Sequence, residues 1–234
     1  MKIKRFNDYH SMDLYGCHIV VDYIKNKSNS LLSIATGNST IGIYKEFEKY
    51  SKDHFNFFSK VIFLKLDEWL IGDKTNEEGF CEYYIQSNII KPLNIDSERY
   101  ISFNAKTKNP IKECERIYSE INNRGSIDIC ILGLGKNGHI GFIEPGAPIY
   151  IKPYIADLSE TSKSHEMVSD SSNDYKKGLT LSINQILSSK KVILFVSGEG
   201  KKKAISELLS GKISTDCPAS FLWLHNDVEC LIYE

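Results

Sequence analysis

IDICILGLGKNGHIGFIEPG, residues 127–146, changes character part-way along. Its first six residues, Ile127 to Leu132, are a short apolar run with β-branched side chains, which predicts a strand covered on both faces in a parallel sheet. Gly133, Gly135 and Gly138 follow at the strand's end. Glycine lets backbone approach a ligand closely, and the carboxyl ends of strands are where open α/β sheets bind ligands. His139 and Glu144 come next, an imidazole and a carboxylate five residues apart beside that edge. The glycines also satisfy GxGxxG, but a dinucleotide site needs an amphipathic helix straight after them. Here Gly141, Pro145, Gly146 and Pro148 fall within ten residues, so a nucleotide cofactor is not expected. A plain glycine turn would leave the His-Glu pair unexplained, so the case for chemistry depends on other segments reaching the same edge.

Outward from this stretch, apolar runs alternate with segments of helical period. Candidate strands are SLLSIAT (30–36), KVIFLKL (60–66), RYISF (99–103), KKVILFVSG (190–198) and ASFLWL (219–224). Candidate helices are Met12–Asn26, Ile41–Tyr50, Phe80–Ile90, Pro110–Asn123 and Lys202–Leu209. Strand–helix alternation predicts an α/β, Rossmann-like three-layer fold with a mostly parallel central sheet. No repeat, low-complexity tract or proline-rich linker divides the chain, so residues 1–234 are expected to form one domain. Residues 148–178 are polar, turn-rich and long, and suit a lid-like loop region or a disordered excursion.

With 234 residues, 41% hydrophobic and 25% charged, the chain can bury a full core. Lys plus Arg number 29 against 30 Asp plus Glu, a formal charge of −1 that gives no bulk reason to expect nucleic acid or an anionic membrane. The N-terminus lacks the apolar core of a signal peptide, and no run approaches the roughly 18 residues of a membrane span, which predicts a cytoplasmic protein. Six cysteines are scattered without a CxxC pair and read as reduced core residues. The six histidines show no HExxH-like spacing, so no metal is implied.

Three further strand ends carry candidates. ATGNSTIG places Thr36, Gly37, Asn38, Ser39 and Thr40 ahead of a helix, where backbone N–H groups, hydroxyls and the helix dipole favour a phosphate; N-capping alone explains only one of the hydroxyls. LKLDEWLIG places Asp67 and Glu68 after apolar β residues, and a pleated backbone sends them to opposite sides, so one carboxylate can face a ligand. LFVSGEGKKKA adds Lys201 at a helix start as a cation for the same phosphate, with Lys202 and Lys203 facing solvent.

Together TGNST, LDEW, GLGKNGHIGFIEPG and SGEGK resemble, in order and separation, the glucosamine-6-phosphate deaminase and 6-phosphogluconolactonase family, over essentially the whole chain. VSGEGK, GLTLSINQIL and STDCPASFLWLH look most like its galactosamine-6-phosphate deaminase/isomerase branch, and NGHIGFIEPG differs from the DGHTASLF typical of lactonases. The resemblance implies an aldose-to-ketose isomerisation with release of ammonia from a hexosamine 6-phosphate, without a cofactor. Asp67 would move the proton, His139 would protonate the ring oxygen during opening, and Glu144 would orient the imidazole. A partly desolvated Asp67 would be a better base than an ordinary aspartate, whose pKa is about 3.9. Two positions depart from the pattern. Asn137 stands where deaminases usually carry Asp, as it does in the nearest branch, which implies altered substrate preference. The phosphate-gripping arginine of well-studied deaminases is absent from LSETSKSHEM, where Thr161, Ser162 and Lys163 stand, and Lys163 is the candidate replacement as a point charge. The family includes homo-oligomers; no allosteric apparatus is expected of this chain. Alternatives are lactone hydrolysis with His139 activating water, and a non-catalytic sugar-phosphate-binding effector module.

Overall fold

The computed structural model describes residues 1–71, 80–163 and 175–233. In chain order the elements are β1 (Lys2–Phe6), α1 (Tyr9–Asn26), β2 (Leu31–Ile34), α2 (Ile41–Asp53), β3 (Ile62–Lys65), β4 (Asp67–Trp69), α3 (Phe80–Ile85), β5 (Tyr100–Ile101), α4 (Pro110–Arg124), β6 (Ile129–Gly133), β7 (Tyr154–Asp157), α5 (Glu160–Lys163), β8 (Lys177–Thr180), α6 (Ile183–Leu187), β9 (Lys191–Val196), α7 (Lys202–Leu209) and β10 (Val228–Tyr233). A turn of π-helix, Gln86–Ile90, prolongs α3, and a 3-10 helix, Pro218–Leu224, precedes β10.

Helix starts follow local chemistry. Asp8 accepts the Ser11 N–H and caps α1; Asn109 accepts that of Lys112 and caps α4, with Pro110 in the first turn, where a missing N–H costs nothing. Ser182 and Gln185 close a reciprocal capping box on α6.

Seven strands form one sheet in the order β1-β10-β9-β6-β2-β3-β5, and every pair in it is parallel. Alternate residues on each strand serve opposite faces. Cys130 and Leu132 of β6 pack with Ile117 of α4 and Leu208 of α7, whereas Ile129 and Ile131 pack with Val20 of α1 and Phe47 of α2. This is the three-layer α/β arrangement expected, with apolar cores on both faces of the sheet.

Strand order also places the site. From β2 the chain runs outward through β3 to β5, then returns to β6 on the other side of β2 and continues through β9 to β10. Such a reversal opens a crevice at the carboxyl ends of the central strands. The loops leaving β2 and β9 meet there, with Ser39 Oγ donating to the Ser197 carbonyl at 3.2 Å.

Two expectations are corrected. Residues 219–224 form part of the 3-10 helix rather than a strand: Pro218 opens it, and Ala219 and Leu222 turn inward on a period of three. The final strand is β10. Residues 148–178 are not a lid-like loop throughout: β7 and β8 pair antiparallel, and β8 pairs with β4, giving a second sheet of order β4-β8-β7. In β7 only Tyr154 and Ala156 turn inward, too brief an alternation to stand out among polar neighbours. Residues 164–174 of that segment lie outside the described residues. Trp69, Phe142, Tyr154 and Tyr175 form a separate apolar cluster on this small sheet. Edge strand β1, mostly exposed and without an apolar run, is also absent from the sequence pattern. Among the described residues no helix is long and apolar enough to cross a membrane.

Candidate active site

Leu66 is where the chain passes from the large sheet to the small one. Its N–H donates to the Ile34 carbonyl of β2, and its own carbonyl accepts from Leu181 just past β8. The next two residues, Asp67 and Glu68, therefore begin β4 in a fixed register and point to opposite sides.

Glu68 points into a built polar network. It accepts N–H bonds from Trp69, Cys81 and Glu82 at 2.9, 3.1 and 2.7 Å, and the Lys65 ammonium at 2.7 Å. Lys65 also reaches Glu82 at 2.7 Å, and the Tyr100 hydroxyl donates to the same carboxylate at 2.9 Å. Lys65 and Glu68 are wholly buried. Burial opposes the Lys65 charge, but the two carboxylates more than offset it and hold its pKa above the ordinary lysine value.

Asp67 faces the other way. Among the described residues its hydrogen-bond donor is the Cys81 thiol, with Sγ 3.6 Å from Oδ1. Burial, reinforced by the neighbouring Glu68 charge, pushes the Asp67 pKa up to about 7. It borders a cavity of about 70 Å³ together with Thr36, His139, Gly141, Phe142 and Ser162. Gly141 has φ +56, and a methyl group there would lie 3.3 Å from Asp67 Oδ2 and 3.1 Å from Thr180 Oγ1. Glycine is favoured here by its backbone angle, and any side chain would press on Oδ2 and the Thr180 hydroxyl.

The His139 loop folds back on itself through the Gly135 N–H, which donates to the His139 carbonyl at 2.9 Å. The imidazole lies against Gly135, where a Cβ would come within 2.4 Å of Nε2, so only glycine fits. His139 Nδ1 is 3.7 Å from Glu144 Oε2, an electrostatic rather than hydrogen-bonded separation. Glu144 is held by others: Asn137 Nδ2 donates to Oε2 at 3.1 Å, while the Ser159 N–H at 3.3 Å and the Ser162 hydroxyl donate to Oε1. Asn137 Oδ1 in turn accepts the His139 N–H at 3.2 Å. Asn137, His139 and Glu144 therefore form one unit, clamped by the start of α5.

The third group lies at the carboxyl ends of β2 and β9. Thr40, at the N-cap of α2, does not cap it with its side chain; its hydroxyl donates backwards to the Ala35 and Gly37 carbonyls. The first N–H groups of α2 face the same corner, where a helix start favours an anion. Gly37 has φ +109 and its carbonyl is pinned by the Tyr84 hydroxyl at 2.9 Å. Lys201 Nζ donates to Ser39 Oγ at 2.7 Å, and burial together with the Lys136 cation lowers its pKa to about 8. Asn38 is exposed at the rim. On the outer side of Ser39 a groove of about 450 Å³ opens between α1 and α2.

The structure thus brings Thr36, Asp67 and His139 to one cavity, sets Glu144 beside that imidazole with Asn137 bridging it to the His139 backbone, and joins Ser39 to Lys201. Lys163 stands at the end of α5, its ammonium 2.7 Å from Glu160, and what α5 contributes to the His139 unit is Ser162. Sequence reasoning missed Ser159, Cys81, Tyr84 and Lys136 as parts of the site, and gave Ser162 no role there. Lys136 had a signal, a cation inside the glycine loop; the others become legible only through the contacts of β4, α3 and α5. Among the described residues no group of three or more His, Cys, Asp or Glu is placed to hold a metal ion.

Comparison with known proteins gives the same frame. The family model for glucosamine-6-phosphate isomerases/6-phosphogluconolactonase matches residues 11–231. A glucosamine-6-phosphate deaminase of Clostridium acetobutylicum is 37% identical over 235 residues, covering 99% of this chain and 97% of its own. An Escherichia coli (strain K12) protein whose naming as a deaminase, AgaI, is provisional is 36% identical over 231 residues, covering 98% and 91%. The solved structure of a monomeric glucosamine-6-phosphate deaminase superposes with a TM-score of 0.92 at 31% identity, covering 100% of this chain and 98% of that one. The 6-phosphogluconolactonase of Thermotoga maritima, at 18% identity and a TM-score of 0.76, shares the fold. The chain belongs to the glucosamine-6-phosphate isomerase/6-phosphogluconolactonase family.

Proposed function

We propose that the chain is an isomerising deaminase of a hexosamine 6-phosphate, acting on galactosamine 6-phosphate in preference to the gluco epimer. The observation that carries the reading is Asp67: a buried carboxylate bordering a cavity with an imidazole, its pKa pushed up to about 7. A base poised near neutrality is what proton transfer at carbon requires.

The Ser39–Lys201 corner and the start of α2 hold the phosphate of the opened sugar. Lys201, held partly neutral by its surroundings, gains its full charge as the dianion arrives. His139 donates to the ring oxygen as the pyranose opens, and Glu144 stabilises the imidazolium that this role needs. Asp67 takes the proton from C2, which bears nitrogen, and returns it to C1, while a proton leaves the nitrogen and the C1 oxygen gains one, converting the aldose to a ketose imine. Water adds to that imine, and the C–N bond breaks to give the ketohexose 6-phosphate and ammonia. No electrons leave the substrate, so no redox partner is called for. Asn137 and the α5 clamp keep Glu144 beside the imidazole.

Preference for the galacto epimer rests on the sequence resemblance around VSGEGK, GLTLSINQIL and STDCPASFLWLH, and on similarity to AgaI. The test is ammonia release from each sugar by purified protein, with Asp67→Asn as control. Release that disappears in the variant, faster with galactosamine 6-phosphate, is expected. Equal or faster turnover of the gluco epimer would reverse the preference, and lactone hydrolysis without ammonia would move the chain to the other arm of the family.

A further inference from the structure

Cys81 stands between the two carboxylates of β4. Its backbone N–H is fixed by Glu68 Oε1 at 3.1 Å, and its Sγ lies 3.6 Å from Asp67 Oδ1 and 3.6 Å from Thr36 Oγ1. The side chain is wholly buried. We propose that Cys81 is a positioning residue for Asp67: its thiol holds Oδ1 and so leaves Oδ2, the oxygen beside Gly141, to meet the substrate.

The donor direction follows from chemistry. An ionised Asp67 only accepts, so the hydrogen between Sγ and Oδ1 belongs to sulfur, and the Thr36 hydroxyl is then the donor to Sγ. Burial, with Glu68 and Asp67 adding to it, holds the thiol well above the ordinary cysteine range, so it keeps its proton. Among the described residues the charged and titratable groups facing Asp67 are Glu68 from its own strand, Lys65 from β3, Cys81 from α3, Cys130 from β6 and, across the cavity, His139. Of these, Cys81 makes a directional bond to it. A thiol is a weak donor. It fixes the carboxylate's orientation while withdrawing little of its basicity, whereas a hydroxyl in the same place would favour the anion more strongly and make a poorer base. The Glu68 network, by anchoring the Cys81 backbone, is what keeps the thiol in range.

This inference rests on Asp67 being the base, and its test separates the two. The carboxyl titration of Asp67 is followed in the resting protein by ¹³C NMR, assigned by difference with Asp67→Asn, in the wild-type, Cys81→Ser and Cys81→Ala proteins. Melting curves accompany it, and Cys81→Ser serves as the near-isosteric variant should alanine fold poorly. The midpoint is expected to rise by about half a unit in the alanine variant and to fall in the serine variant. In ammonia release, Cys81→Ala is expected to lose about fivefold in kcat with KM within twofold. Midpoints that coincide in all three proteins overturn the proposal. Midpoints that move in a protein that releases no ammonia from either sugar leave the Cys81 assignment standing and remove the deaminase reading instead.

Discussion

The two sides of β4 treat charge in opposite ways. Behind the strand, Lys65, Glu68, Glu82 and Tyr100 are fully cross-linked, and the Lys65 ammonium is held more firmly charged than a free lysine. On the cavity side Asp67 is left without an ionic partner among the described residues, with a thiol as its donor, and beyond the carboxyl end of β9 Lys201 is likewise left with a hydroxyl. Both move toward neutrality, Asp67 up to about 7 and Lys201 down to about 8. The same burial thus yields fixed charges where the protein supplies counter-ions and adjustable ones where it does not. The network behind the strand is structure; the deficit in front of it is what a substrate carrying a phosphate and an acidic carbon would fill.

Substituting the acid on the open side has the largest expected effect. Asp67→Asn should lower kcat at least about 10³-fold, the scale of losing a general base. The same change should stabilise the protein at pH 8. A raised carboxylate pKa means that the folded state resists ionisation, so stability falls as pH rises from about 4, where the unfolded chain ionises, to about 7. Asparagine removes that loss. The expected gain is about 5 °C or more in Tm at pH 8 and none at pH 4, read by thermal melts at the two pH values.

Glu68→Gln, one residue away, should do the reverse. It leaves the buried Lys65 with a single carboxylate and should cost about 3 kcal/mol, a fall of roughly 6–12 °C in Tm. Equal melting of the two variants at pH 8 would erase the contrast between the two sides.

Lys201→Ala tests the other unpaired group. Loss of a charge-assisted contact to phosphate should raise KM about 30-fold while changing kcat less, read from initial rates of ammonia release. A kcat effect larger than the KM effect would place Lys201 at the reacting carbons instead. Asn137→Asp is expected to be mildest. A carboxylate cannot donate to Glu144, but Ser159 and Ser162 still hold that side chain, so a several-fold fall in kcat with unchanged KM is expected.

The central sheet was legible in the sequence because its strands are buried on both faces and read as unbroken apolar runs, as IDICIL does. The glycine-rich ends of those strands marked the crevice, and Ser39 and Lys201 meet there. What stayed illegible depends on the small sheet. That Asp67 and Glu68 diverge follows from the pleat alone, but which of them faces the cavity is set by the register of β4 against β8, and β8 lies in a stretch whose polar surroundings hid it. The clamp on Glu144 was hidden for a related reason: Ser159 and Ser162 are ordinary loop residues until α5 folds over the His139 loop. Residues 219–224 misled because their apolar side chains, spaced to fill one side of a 3-10 turn, are dense enough to resemble a strand.

The most direct test of the open side of β4 is the pH dependence of kcat/KM for ammonia release. The expected profile climbs about tenfold per unit below pH 7 as Asp67 ionises, and declines above about pH 8 as Lys201 loses its proton. A kcat/KM that stays level from pH 5 to pH 7 would show that an acid of ordinary pKa does the work, and would contradict the assignment of Asp67 as the group poised to take the proton.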